Sequence, residues 1–218
     1  SGTCVILQLL LELLGIKENL LPESRFWQKS PYSMEPKYIT IHNTAEDRSA
    51  MFEIQNFLDN NMNLSFHFAV DHENIVQGLP LNRNARHCGD GYNGTGNRNS
   101  IGIEICFSKS GGFRYYEGEE KAVLLTAYLM LKYSIPIENV RQHFHWSGKN
   151  CPHRIREEDR WESFLERAQK YLNYFQLQQN QLDKIANQQD NYLNSMIVVA
   201  VLCLLIMTVS YVKVQYKK

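Results

Sequence analysis

From His143 to Cys151 the chain reads HFHWSGKNC, followed by Pro152 and His153, so two imidazoles, an ammonium and a thiol fall within nine residues. As one continuous helix this stretch would hold His143 and Cys151 about 12 Å apart, at about 1.5 Å per residue. That is too far to share one ion. Gly148 permits a reversal, and Pro152 keeps Cys151 extended. A loop that folds back on itself therefore brings the two groups together. Thiolate with imidazole is a zinc-type donor set, and two such ligands plus a third from elsewhere leave a fourth position for water. The fold has to deliver that third donor.

The rest of the chain alternates strand and helix patterns. Lys37–Asn43 (KYITIHN) puts Ile39 and Ile41 on one face and Tyr38, Thr40 and His42 on the other, a half-buried strand with a histidine at its exit. Residues 46–59 space Met51, Ile54, Phe57 and Leu58 along one helical face. Phe66–Val70 and Ile75–Gly78 read as short strands joined by the turn-forming DHEN. Leu81–Ser100 is a long loop with closely spaced glycines and asparagines (CGDGYNGTGNRNS), and loops of this length are often functional. Ser100–Ser108 is a strand with Ile101, Ile103, Ile105 and Phe107 on one face and Gly102, Glu104 and Cys106 on the other. A carboxylate there needs a cation, a metal or water beside it. Glu117–Tyr133 reads as a buried helix that stops before Pro136. Glu157 to about Asn191 reads as a long helix, with Trp161, Ala168, Phe175 and Leu182 at seven-residue intervals, which predicts a weak stalk or coiled coil. The predicted class is α/β, a mixed central sheet flanked by helices.

Lys and Arg number 23 and so do Asp and Glu, a zero balance that argues against a general nucleic-acid binder. Five cysteines, an odd number without regular spacing, argue against a disulfide framework. Met196–Val212 (MIVVAVLCLLIMTVSYV) carries no charge in seventeen residues. As a helix it would span about 25 Å, against a bilayer core of about 30 Å, so a transmembrane helix is expected. The lysines at 213, 217 and 218 place the C-terminus on the cytoplasmic side. Cys4–Leu14, rich in leucine but interrupted by Gln8 and Glu12, reads as an amphipathic helix docked on the domain rather than a signal peptide.

His42, on the polar face at a strand end, is the candidate third ligand. His143 with His145 is the rival pairing, because alternate residues on a strand share a face. Cys151 is preferred to His145 because thiolate holds zinc strongly. His67 and His153 read as structural, and His87 in the long loop is a candidate ligand contact. The segments YITIHNTA, SFHFAVDHENIVQGLP, GDGYNGTGNRNSIGIEICFS and HFHWSGKNCPHR closely resemble zinc-dependent N-acetylmuramoyl-L-alanine amidases. The likeness is to the phage and prophage endolysin branch, which shares its fold with peptidoglycan recognition proteins, and it covers about residues 30–165.

The resemblance implies hydrolysis of the amide between N-acetylmuramic acid and the L-alanine of the stem peptide. It implies a zinc ion held by His42, His143 and Cys151, with Glu104 as catalytic carboxylate and Lys149 as active-site lysine. The chemistry is consistent: Glu104 can take a proton from water and return it to the leaving amine, and Lys149 can stabilise the oxyanion. Asn97, Arg98 and Asn99 are candidates for binding sugar or peptide. Some relatives carry a tyrosine before the histidine of the SFHF motif, where this chain has Phe66, so proton transfer rests on Glu104. The alternative is a non-catalytic peptidoglycan receptor on the same fold; the presence of Cys151 favours the enzyme. The expected division is an N-terminal helical extension (1–29), the catalytic domain (30–175), a polar helical spacer (176–195), a transmembrane helix (196–212) and a basic tail (213–218). That layout predicts a single-pass, membrane-anchored protein of bacterial or phage origin, its catalytic domain on the wall face, with peptidoglycan and lipid as partners.

Overall fold

The computed structural model describes residues 5–187 and 193–215, with side chains given through residue 185 and from 196 to 207. Six strands form one sheet: β1 (Lys17–Glu18), β2 (Tyr38–Asn43), β3 (Phe68–Val70), β4 (Ile75–Gln77), β5 (Ser100–Ile105) and β6 (Val140–Gln142). Their order is β1-β4-β3-β5-β2-β6, and every pairing is parallel except β3 with β4, which the DHEN turn joins as an antiparallel pair. The helices described are α1 (Val5–Leu14), α2 (Phe26–Lys29), α3 (Ala50–Asp59), α4 (Thr95–Asn99), α5 (Gly112–Tyr133), α6 (His143–Ser147), α7 (His153–Glu157), α8 (Trp161–Asn187) and α9 (Leu193–Gln215).

β2 lies between β5 and β6 and is buried on both faces, not one. Ile39 and Ile41 enter the apolar core, and Asn43, of the same parity, donates from Nδ2 to the Tyr115 hydroxyl of α5 at 3.2 Å. Thr40 and His42, on the other face, are covered by the 81–100 loop and α6; the Trp146 indole donates to Thr40 Oγ1 at 2.9 Å. The polar face of this central strand is thus a closed site rather than a wet surface.

α5 and α8 pack together, and α1 lies against both through Ile6, Leu10 and Leu14. α8 buries Phe164, Ala168, Tyr171, Phe175 and Leu182, a three- and four-residue stripe facing the domain as far as Leu182. Where α5 meets α8, Arg167 bridges Glu119 and Glu120 (2.6 Å to Glu120 Oε2), Arg160 also reaches Glu119, and the Tyr171 hydroxyl donates to Glu120 at 2.7 Å. Three predicted boundaries move for local reasons. β5 ends at Ile105 because Phe107 adopts a left-handed φ of 59°. α5 begins at Gly112 because the buried Tyr115 extends its inner face. The helix predicted from Glu157 starts instead at Trp161, because Asp159, at φ 52°, separates it from α7.

The expectation of a transmembrane helix at 196–212 is corrected: among the described residues, no helix is long and apolar enough to cross a membrane. α9 instead turns one stripe inward, with Val201 and Leu205 buried, Ile197 and Val198 partly so, and Leu9, Leu10 and Leu13 of α1 lining a cleft beside it. Val201 and Leu205 here cover protein, while Met196, Val199, Leu204, Ile206 and Met207 are exposed. The described side chains of that run end at Met207, so 208–212 and the side chains of the expected basic tail (213–218) lie outside them, as does the 186–195 part of the expected spacer. The single-pass, membrane-anchored reading and lipid as a partner fall with the correction.

Removing one member of a buried ion network leaves its partners' charges uncompensated. Arg167→Ala should lower the unfolding free energy by about 3 kcal/mol, measured as a fall in the urea midpoint. An unchanged midpoint would show that the network does not hold α8 to α5.

Candidate metal centre

Register builds half of the site. Parallel pairing of β2 with β5 sets His42 directly beside Glu104, and β3 sets Ala69 on the other side of Glu104, small enough to leave room. The second half comes from the segment after β6. α6 begins at His143 and ends at Ser147, capped by Gly148, whose φ of 77° reverses the chain, and Phe144 N donates to the Cys151 carbonyl at 2.9 Å. The fold-back expected from Gly148 is therefore present. It carries Cys151 to the end of β2, where Asn43 N lies 3.4 Å from its sulfur.

His42 Nδ1 lies 3.0 Å from His143 Nδ1 and 3.8 Å from Cys151 Sγ. The three donor atoms fall within 4.8 Å of one another, so the trio can hold a metal ion. Glu104 Oε1 is 3.8 Å from His42 Nδ1, while its Oε2 is buried with no hydrogen-bond partner among the described residues. Burial holds His42 well below the ordinary imidazole range and, with the Lys149 ammonium, lowers His143 to about 4, so both rings keep free lone pairs near neutrality. Burial, aided by Glu104, pushes the Cys151 thiol up to about 12. A buried thiol, two neutral imidazoles and an unpartnered carboxylate oxygen form a donor set that a soft cation would satisfy. Burial likewise pushes the Glu104 carboxyl up to about 8, with Glu53 of α3 adding to the rise and Lys149 opposing it. Glu53 was not a sequence candidate; nothing in its spacing on α3 points toward β5.

A cavity of about 650 Å³ opens beside this centre, running from His143 and Lys149 past His87 to Arg86, Tyr92 and Tyr32. Lys149 is exposed at its rim. His145 points the other way, exposed and against the Trp146 ring at 4.7 Å, because two residues apart on a helix face opposite directions. His67 is structural, as expected: Gly102 N donates to its Nδ1 at 3.0 Å and its Nε2 contacts the Arg83 carbonyl at 2.8 Å. Phe66 packs on Phe57, ring centroids 5.0 Å apart, and offers no polar group. His87 touches the cavity, but its ring is spent on His42, with Nδ1 2.8 Å from His42 Nε2. Asn97 also reaches the cavity, yet its Oδ1 accepts from the main-chain N–H groups of His87 and Cys88, both at 2.8 Å. The Arg98 guanidinium lies over Tyr32, 3.9 Å from the ring centroid, and Asn99 gives its carbonyl to Lys37 N. The structure thus brings together His42, Glu104, His143, Lys149 and Cys151. It places Arg98 and Asn99 off the cavity wall.

Comparison with known proteins converges on one group. The family profile described as N-acetylmuramoyl-L-alanine amidase matches residues 32–154. The N-acetylmuramoyl-L-alanine amidases XlyB and CwlA of Bacillus subtilis (strain 168) are 51% and 52% identical over 72% and 67% of this chain. Those matches cover 50% and 54% of the relatives, so the chain spans about half their length. Among solved structures, PlyL superposes with a TM-score of 0.69 at 52% identity, over 70% of this chain and 96% of its own. The catalytic domain of XlyA gives 0.64 at 39% identity, over 70% and 98%.

Glu104 makes a pH-dependent contribution in the metal-free protein. Between pH 4.5, the ordinary value, and about 8, the folded carboxyl keeps a proton that the unfolded chain has lost. The unfolded state then binds fewer protons, so this contribution is full at the acid end and is lost as pH rises through that window. Urea midpoints of chelator-treated wild type and Glu104→Gln should therefore diverge, with wild type losing ground to the variant from pH 5 to pH 8. A constant difference across that interval would contradict the burial of Glu104.

Proposed function

The chain belongs to the N-acetylmuramoyl-L-alanine amidase family, and on that premise we propose that it is a zinc-dependent hydrolase of bacterial peptidoglycan. The bond cut is the amide between N-acetylmuramic acid and the L-alanine of the stem peptide. The observation that carries the reading is the meeting of His42, His143 and Cys151, whose donor atoms lie within 4.8 Å of one another, beside a half-buried carboxylate and an open cavity.

His42, His143 and Cys151 would hold the ion. When bound, zinc supplies Lewis-acid polarisation of a carbonyl and a lower pKa for water. The residues of the chain do the rest. Glu104, held on β5 next to His42, accepts the proton of the attacking water and delivers it to the leaving alanine nitrogen. Its raised pKa, about 8 without the ion, suits a group that must both take and release a proton near neutrality. Lys149 at the cavity rim supports the negative charge that develops on the carbonyl oxygen. The cavity, within the range of about 300–1,000 Å³ usual for ligand sites, receives the flanking sugar and peptide. Arg86 on its wall, its guanidinium 4.3 Å from the Tyr92 centroid, offers a cation to stem-peptide carboxylates.

Mass spectrometry of digested cell wall tests this. Wild type should release stem peptides with new L-alanine amino termini, a chelator should stop the release and zinc restore it. Glu104→Gln should lower the rate by about 100-fold or more, the scale of a general base. Wall binding without release, or cleavage at a sugar linkage, would overturn the proposal.

A further inference from the structure

Two donor trios in this fold share His42. One uses its Nδ1 with His143 and Cys151; the other is His42, His87 and Cys88, which His42 meets through Nε2, 2.8 Å from His87 Nδ1. We infer that His87 is a positioning residue, which accepts a hydrogen bond from His42 Nε2–H and so fixes the tautomer that turns Nδ1 toward the metal. This rests on the zinc reading above.

The argument follows from proton positions. His87 Nε2 lies 3.2 Å from the Ser100 carbonyl, which can only accept, so His87 carries its proton on Nε2. Its Nδ1 is then a lone pair, and the His42 nitrogen facing it must be the donor. That leaves His42 Nδ1 unprotonated, on the side of His143, Cys151 and Glu104. Asn97 Oδ1 in turn pins the loop that carries His87, accepting from the main-chain N–H groups of His87 and Cys88. Gly102 of β5 makes the space, since a Cβ there would come within 2.7 Å of His87 Nδ1. Access separates the two trios. Cys88 is sealed from solvent at 0% exposure, whereas the Nδ1 side borders His143 and Lys149 on the open cavity. Partners that orient ligating histidines in this way typically contribute about 10- to 100-fold in metal affinity.

The test uses the full chain and zinc alone. In histidine ¹⁵N spectra of the zinc-loaded wild type, His42 should show a protonated Nε2 and a metal-bound Nδ1. By chelator competition, His87→Leu should weaken zinc binding by about 10- to 100-fold. His87→Asn, whose Oδ1 can accept from His42, should recover most of that loss, and Cys88→Ser should bind zinc as wild type does. A purely packing role predicts the reverse order, because asparagine fills the space less well than leucine. Zinc on His42 Nε2, undiminished affinity in His87→Leu, or weaker binding by His87→Asn than by His87→Leu would each overturn the inference. The wild-type spectrum decides even where a variant fails to fold. A wild-type chain that binds no zinc would instead defeat the metal reading itself.

Discussion

The in-register parallel pairing of β2 with β5 is the constraint on which the site depends, because it fixes a histidine and a glutamate side by side on the same face of a buried sheet. A slip of one residue would send His42 into the apolar layer and bring Ile41 or Asn43 to the site. Such a slip is opposed from both sides: Ile39, Ile41, Ile101 and Ile103 are all fully buried against the opposite layer. Hydrophobic burial thus aims the polar chemistry. The α6 reversal then has only to bring His143 and Cys151 to a point the sheet has already defined.

The cost of this arrangement is electrostatic. His42 and Cys151 are removed from water and Glu104 is half-buried, and burial is the largest influence on the ionisation of all three, driving each toward its neutral form. Sealed polar groups without partners are expensive, and Oε2 of Glu104 finds no partner among the described residues. The contrast with His67 is instructive, since that equally buried ring finds a donor and an acceptor within the protein and needs nothing more.

Much of this was legible in the sequence. The donor types around Gly148, the strand ending in His42 and the carboxylate of Glu104 in an apolar strand all carry their chemistry in residue type and period. What periodicity cannot supply is the covering layer. β2 reads as half-buried because its alternation is visible, but the loop that buries its other face is irregular. For the same reason the contacts of His87 with His42 and of Asn97 with the loop's own main chain are not visible in the sequence: a glycine-rich loop looks exposed until it is seen folded over the sheet. The apolar run from Met196 shows the converse. Apolarity states that a helix must be covered, and α9 finds part of that cover on α1 and α8. The left-handed Phe107, which ends one strand, has no signal of the glycine or asparagine kind, whereas Asp159, just ahead of α8, is of a residue type that adopts this conformation more readily.

The most direct measurement of the central claim is zinc-edge X-ray absorption on the zinc-loaded chain, with Cys151→Ser beside it. The account predicts one sulfur scatterer at about 2.3 Å and nitrogen or oxygen scatterers at about 2.0 Å, with the sulfur lost in the variant. A sulfur that persists in Cys151→Ser, or a wild-type shell with no sulfur, would contradict a metal held by His42, His143 and Cys151.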